Sequence, residues 1–160
     1  MGATTPEPTR TLPRQARVLF VVHGLLGALP VVALALVAGM ALDDSDAAGW
    51  IATSVRAVGV AGAVAAGVVL PLVRWRNWRY ELRDEEIDLR RGTLVITRTL
   101  IPTVRVQHVD TRRTWLDDQF GLRSVIVHTA GGSHTIPALR ADQAAEVRDR
   151  IAALARRPDE

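Results

Sequence analysis

The sequence predicts an α+β membrane protein in which a two-helix transmembrane hairpin is followed by a curved antiparallel sheet and a closing helix. Residues 18–73 carry four formal charges, whereas the rest of the chain carries 19 arginines and 14 acidic residues. Apolar and polar residues then alternate along most of 74–160, as in half-buried strands. The last segment changes to helical spacing. These observations exclude a single soluble core.

The first 17 residues are predicted to form a cytoplasmic N-terminal tail, and the first span follows at 18–42. That span is 25 residues long, and His23 is its only ionisable side chain. At about 1.5 Å per residue it can cross a hydrocarbon core of about 30 Å. The alternative is a cleaved signal peptide, because arginines precede the apolar run, but a signal core has only about 7–15 apolar residues.

The second span is predicted at 51–73, with 23 residues and one charge, Arg56. Basic residues lie before the first span and after the second, while the connection between the spans is acidic. Basic residues concentrate on the cytoplasmic side of membrane proteins. The chain is therefore predicted to be a multi-pass protein of the cell membrane with both termini cytoplasmic. The arginines concerned are Arg10, Arg14, Arg17, Arg74, Arg76 and Arg79.

Both ionisable residues inside the spans lie near an end, so His23 and Arg56 are expected to reach toward the headgroups. Arg56 is expected to extend toward the acidic connection, which holds Asp43, Asp44 and Asp46. Small residues repeated at a spacing of four let helix backbones approach closely, either within the hairpin or against a partner. Such pairs are Gly24 and Ala28, Ala35 and Gly39, Gly59 and Ala63, and Gly62 and Ala66.

Residues 74–160 are predicted to form one small domain. Strands are expected near 80–82, 87–89, 94–101, 104–113, 123–129 and 134–136. The alternation breaks at Gln107 and His108, which predicts a bulge that bends the sheet. One helical face carries Ala144, Val147, Ile151 and Leu154, so the last helix is expected to cover the open sheet.

A series of short motifs runs through the domain: Ile101-Pro102-x-x-Arg105-Val106-Gln107-x-Val109, Trp115-Leu116, Phe120-Gly121-Leu122, Val125-x-Val127-His128-Thr129-Ala130-Gly131-Gly132 and Ile136-Pro137-x-Leu139. With the two preceding spans, these motifs resemble a family, the bacterial pleckstrin-homology-like domain membrane proteins of the YdbS-like two-span type. The resemblance implies a half-open antiparallel β-barrel capped by the C-terminal helix. It also implies that the protein works beside a larger membrane protein with similar domains, and it implies no known activity.

A search for catalytic or metal-binding residues gives no candidate site and no cofactor. A turn at Gly131-Gly132 is predicted to pair Thr129 with His134 and Val127 with Ile136, which sends His128 and His134 to opposite faces. The two histidines then cannot share a metal ion. No nucleophile elbow, metalloprotease signature or phosphate-binding glycine loop is present, so the protein is predicted not to be an enzyme.

Two surfaces are predicted to make contacts. A juxtamembrane cluster could hold anionic lipid: Arg74, Trp75, Arg76, Trp78 and Arg79. A partner patch is predicted at Arg112, Arg113 and Trp115. Phosphoinositide-binding relatives have basic residues in the turn after the first strand. This binding site is expected to be absent here, because Asp84-Glu85-Glu86 occupies that turn and would repel phosphates.

The predicted function is that of a non-enzymatic, membrane-anchored interaction module. Its partners are the lipid bilayer and either a membrane protein with similar domains or a second copy of the chain. Neither nucleic acid nor a small-molecule substrate is indicated, since no segment has the charge density of a nucleic-acid-binding protein. The alternatives are an accessory subunit of a transporter or envelope-stress complex, and a peripheral reader of anionic lipid headgroups.

Overall fold

The computed structural model describes residues 6–43 and 49–156. The chain divides into two compact units, one formed by Phe20–Val73 and the other by the segments on either side of it, Met1–Leu19 and Arg74–Glu160. The first unit is the helical hairpin and the second is a β-rich domain. The residues of each unit are described below for that unit alone.

The hairpin consists of α1 (Arg14–Asp43) and α2 (Gly49–Asn77). Each helix is long and apolar enough to cross a membrane. The predicted spans at 18–42 and 51–73 lie inside these helices. Residues 44–48 of the acidic connection lie outside the described part of the chain.

Small residues bring the two helices together within the hairpin. A Cβ atom added to Gly24 would collide with the Gly67 carbonyl oxygen and the Pro71 ring, and one added to Gly59 would lie 2.6 Å from the Ala35 Cβ. Gly62 faces open space instead, and Ala66 is exposed. Gly59 therefore lies on the face of α2 that contacts α1, whereas Gly62 and Ala66 lie outside that contact.

Arg56 takes part in the same helix contact. Its aliphatic carbons occupy the space where a Gly39 side chain would be, and its Nη2 donates a hydrogen bond of 3.0 Å to the Gly39 carbonyl oxygen. The expected extension toward Asp44 and Asp46 involves residues outside the described ranges.

The domain contains two antiparallel sheets that do not close on each other, in agreement with the predicted half-open arrangement. The first sheet has the order β1-β2-β3-β4 and the second has the order β5-β6-β7. The strands are β1 (Arg10–Thr11), β2 (Arg79–Leu82), β3 (Glu86–Gly92), β4 (Ile96–Pro102), β5 (Val106–Arg112), β6 (Leu122–Thr129) and β7 (Gly132–Arg140), and the helices are α3 (Trp115–Gln119) and α4 (Ala141–Ala155).

The core lies between the sheets and α4. The four residues of the predicted helical face are all buried: Ala144, Val147, Ile151 and Leu154. Four inward-facing residues of the strands are 0% exposed: Ile87, Val125, Val127 and Ile136. The predicted spacing of the closing helix is therefore confirmed.

The predicted bulge is also confirmed, because the register of β5 against β6 shifts between Val106 and His108. The predicted register of the β6–β7 hairpin is wrong by two residues. Thr129 pairs with Gly132 and Val127 pairs with His134. The turn is formed by Ala130 and Gly131, and Gly132 has a φ of +134°, a conformation that a glycine adopts without strain.

A shift of two residues keeps every side chain on its predicted face, because strand side chains alternate with a period of two. Val125 takes the place of Val127 as the partner of Ile136, and all three residues are on the buried face as predicted. His128 and His134 still point to opposite sides of the sheet.

The N-terminal segment, which was predicted as a cytoplasmic tail, contributes a strand that the sequence pattern did not predict. Arg10 pairs with Tyr80 and Thr11 pairs with Arg79, so this segment adds a strand to the first sheet. Leu12, Ala16 and Leu19 are buried. Burial of these apolar side chains against the domain explains why the segment folds with it.

Candidate interaction surfaces

The juxtamembrane cluster lies at the end of α2 and the start of β2. Arg74 and Arg76 are exposed there. Trp75 is half-buried, and its Nε1 donates a hydrogen bond of 3.2 Å to the Pro13 carbonyl oxygen. The two exposed guanidinium groups are therefore the members of this cluster that are accessible to an anionic group.

The expectation that Trp78 lies at a lipid interface is wrong. Its side chain is 1% exposed and belongs to the core of the domain. Arg79 is also engaged, because its Nη1 donates to the carbonyl oxygens of Arg76 at 2.6 Å and Trp78 at 2.8 Å. Basic side chains often bind the last carbonyls of a helix in this way.

The turn between β2 and β3 carries the acidic residues that are expected to repel phosphoinositides. Asp84 and Glu85 are exposed. The turn is closed by a hydrogen bond of 2.9 Å from the Arg83 amide to the Glu86 carbonyl oxygen.

The predicted partner patch lies at the end of β5 and the start of α3, where Arg112, Arg113 and Trp115 follow one another on an exposed segment. Trp115 is 73% exposed. The short helix is held by a reciprocal cap in which Asp117 Oδ2 accepts from the Thr114 amide at 2.8 Å and Thr114 Oγ1 accepts from the Asp117 amide at 3.2 Å. This cap fixes the position from which the indole projects.

A second exposed apolar surface involves β4, which is one of the two edge strands of the first sheet. The β3–β4 hairpin ends in Leu94, which is 92% exposed, and Val95, which is 77% exposed. Leu100 on the strand and Val104 just after it are also exposed. The sequence analysis missed this surface because it placed Leu94 and Val95 inside a strand.

The same sheet contains a buried aspartate. The alternation of apolar and polar residues along β3 predicts that this residue faces solvent. Asp88 is 0% exposed, and its carboxylate accepts hydrogen bonds from Arg98 Nε at 3.1 Å and Arg98 Nη2 at 2.6 Å. Arg83 Nη1 lies 3.2 Å from Asp88 Oδ2. The hydrogen bond with Asp88 raises the pKa of the Arg98 guanidinium.

The N-terminal segment covers this charge cluster. The Pro6 carbonyl oxygen accepts from Arg83 Nη2 at 2.5 Å and from Arg98 Nη2 at 2.9 Å. Glu7 forms an ion pair of 2.9 Å with Arg90. Sequence periodicity offers no signal for this cover, because the segment before β1 has neither helical nor strand spacing.

Thr9 and Glu81 make the adjoining contact between this segment and β2. The amide and hydroxyl of Thr9 donate to Glu81 Oε2 at 3.0 and 2.5 Å. Donation by the hydroxyl lowers the pKa of Glu81. On the residue that precedes Glu81, burial raises the pKa of the Tyr80 phenol.

A histidine cluster lies on the outer face of the second sheet. His108 and His128 are cross-strand partners whose rings are stacked with centroids 4.1 Å apart. Asp110 Oδ2 lies 3.2 Å from His128 Nε2 and 3.7 Å from His108 Nε2. From the sequence, only His128 and His134 were considered as joint metal ligands, and they were excluded because they face opposite sides. His108 was not considered, although the predicted bulge at Gln107 and His108 is what turns His108 outward.

Comparisons with known proteins cover most of the chain. The family described as Bacterial PH domain matches residues 18–155. The UPF0699 transmembrane protein YdbS of Bacillus subtilis (strain 168) is 41% identical over 111 residues, which is 69% of this chain and 70% of that protein. The UPF0699 transmembrane protein YdbT of the same organism is 27% identical over 108 residues, which is 64% of this chain but only 22% of YdbT. No solved structure matches significantly.

Proposed function

Because the chain belongs to the Bacterial PH domain family of membrane proteins, we propose that it is a non-enzymatic interaction module whose domain docks a protein partner beneath the membrane. The observation that carries this proposal is the exposed edge strand β4 with its apolar residues. An edge strand presents unpaired amide and carbonyl groups to a second chain. Proteins recognise extended segments by adding them to such an edge.

The apolar side chains along this edge support a protein partner. Ile96 is 41% exposed and Leu100 is 45% exposed, and both belong to β4. Natural sheets commonly protect a free edge with charged residues or proline. On β4, Arg98 is the charged residue of that face, and its guanidinium is turned onto Asp88.

The proposal is tested by purifying the full-length protein from its native membrane in mild detergent and measuring which proteins accompany it. The test variant is Leu100→Lys, which places a charge on the edge strand. The matched control is Ala153→Lys, which makes the same change at an exposed position of α4. We expect a stoichiometric partner with the wild type and the control, and its loss with Leu100→Lys.

Two results would count against this role. One is a wild-type protein that elutes alone at every concentration. The other is a partner retained equally by both lysine variants. A partner that is a multi-span protein would point to the accessory-subunit role in a transporter or envelope-stress complex.

The exposure of Arg74 and Arg76 favours a second candidate, the reading of anionic lipid headgroups. Each arginine near an anionic surface contributes about 1 kcal/mol to membrane attraction. Mass spectrometry of copurified lipid tests this candidate. Anionic lipid should be enriched with the wild type and depleted with the double variant Arg74→Gln/Arg76→Gln. Equal amounts of anionic lipid with the two proteins would exclude the headgroup-reading role.

The proposed location of the domain is the cytoplasmic side. This is supported by the arginines on both flanks of the hairpin, since basic residues favour that side. The pairing of β1 with β2 supports placing both flanks of the hairpin on one side, because strands of one sheet must lie on the same side of a membrane.

A further inference from the structure

We propose that His108, Asp110 and His128 bind one divalent transition-metal ion of the Zn²⁺ class. The three residues offer two imidazole nitrogens and one carboxylate oxygen, all within 4.8 Å of one another. This site is separate from the surfaces assigned to the proposed function, and it stands whether or not that function holds.

The backbone brings the three side chains together. His108 lies directly opposite His128 on neighbouring strands, and Asp110 follows His108 by two positions on the same face of β5. The bulge between Val106 and His108 is essential to this arrangement. Without it, His108 would share the inward-facing phase of Val106, because side chains alternate along a regular strand.

The distances suit a small ion. Donor atoms around a tetrahedral Zn²⁺ lie about 2.0–2.2 Å from the metal, and hence about 3.3 Å from one another. The separations from Asp110 Oδ2 to the two Nε2 atoms are 3.2 and 3.7 Å. Binding requires the stacked rings to turn apart until both nitrogens face one ion, and the 60% exposed side chain of His108 borders solvent.

The donor set selects the class of metal. Imidazole nitrogen suits Zn²⁺, Ni²⁺ and Cu²⁺, whereas Mg²⁺ and Ca²⁺ prefer sites made of oxygen. Three protein ligands leave a coordination position for water or another ligand, as in open zinc sites.

The test is calorimetric titration of the full-length protein in mild detergent with zinc chloride, after treatment with a chelator and with no oligohistidine tag. We expect one zinc ion per chain for the wild type and no saturable binding of Mg²⁺. Asp110→Asn and His128→Ala should each weaken zinc binding at least tenfold.

The matched control is His134→Gln, because His134 belongs to the same sheet but faces the opposite side. It should leave zinc affinity unchanged. A wild type without saturable zinc binding would overturn the proposal. So would Asp110→Asn and His128→Ala variants that bind as tightly as the wild type, or a loss with His134→Gln equal to theirs.

A second measurement does not depend on the stability of any variant. Nuclear magnetic resonance of the imidazole nitrogens in the wild type should show zinc-induced changes at His108 and His128. Changes confined to His23 or His134 would place the ion elsewhere and exclude this site.

Discussion

Asp88 carries a carboxylate in a fully buried position, with 0% of the residue exposed. A carboxylate removed from water is costly unless opposite charges and hydrogen bonds replace its hydration. Arg98 supplies two hydrogen-bond donors, and Arg83 approaches the same oxygen. The N-terminal carbonyl of Pro6 then satisfies both guanidinium groups from the other side.

Replacing this carboxylate should destabilise the domain. We expect Asp88→Ala to lower the free energy of unfolding by about 2–3 kcal/mol, because it leaves the partly buried Arg98 without its main acceptor and removes one partner of Arg83. The fluorescence of buried Trp78 during urea unfolding in detergent measures the change.

The matched control is Asp118→Ala. Asp118 also pairs with an arginine, at 3.3 Å, but its side chain is 48% exposed. Exposed pairs contribute about 0–1 kcal/mol, so this variant should change little. Equal losses in the two aspartate variants would contradict the importance of burial.

Thr9 gives the second prediction at this scale, and it depends on pH. The pKa of Glu81 is lower in the folded protein than in the unfolded chain, chiefly through the Thr9 hydroxyl. The stabilisation is therefore present above the unfolded pKa of about 4.3 and is lost as the pH falls through the folded value.

We expect Thr9→Val to cost about 0.5–1 kcal/mol at pH 7 and progressively less below about pH 4. Thermal unfolding measured across this pH range provides the comparison. Thr11→Val, an exposed change on β1, should show no such pH dependence. If the destabilisation by Thr9→Val were the same at every pH, the effect of Thr9 would not depend on the ionisation of Glu81.

At the scale of elements, the contact between α1 and α2 depends on particular glycines. Gly24 faces the Gly67 backbone, so a methyl group there must push the helices apart. We expect Gly24→Ala to cost about 1–3 kcal/mol, the usual range for overpacking. Thermal unfolding of the full-length protein in one detergent measures it.

Gly27 is the matched control on the same helix, because a Cβ atom added there has nothing within 4 Å. Gly27→Ala should be neutral or slightly stabilising, since alanine favours a helix more than glycine does. The reverse order of stability would show that the helices do not meet at Gly24.

Elements with repeated spacing could be predicted from the sequence, whereas those without it could not. The buried face of α4 extends over several turns of helical spacing. The break in the apolar–polar alternation at Gln107 predicts the bulge. β1 has two residues, which is too short for any periodicity to show. The β6–β7 turn was misplaced because the prediction put Gly131 and Gly132 at its centre, whereas Gly132 takes its positive φ directly after the turn, where it pairs with Thr129.

The candidate sites show the same division. Exposure of Arg112, Arg113 and Trp115 follows from their position between two elements. The histidine cluster needs the register of β5 against β6, and the cover over Asp88 needs contacts from Pro6 to arginines 77 and 92 positions later. Such long-range pairings carry no local signal.

At the scale of the whole molecule, topology is directly testable because the chain has no cysteine. We expect Ser45→Cys, in the connection between the spans, to react with a membrane-impermeant maleimide added to intact cells. Ser133→Cys, in the domain, should react only after permeabilisation. The opposite pattern would place the domain outside.

The pairing of β1 with β2 also orders events during synthesis. Tyr80 follows its partner Arg10 by 70 positions, and both membrane helices are made between them. The N-terminal strand must therefore wait until the hairpin has emerged from the ribosome. If only one helix inserts, the two strands end on opposite sides of the bilayer and β2 keeps an open edge, which exposes the chain to aggregation and to proteases. Completion of the sheet thus distinguishes a correctly inserted chain from a misinserted one.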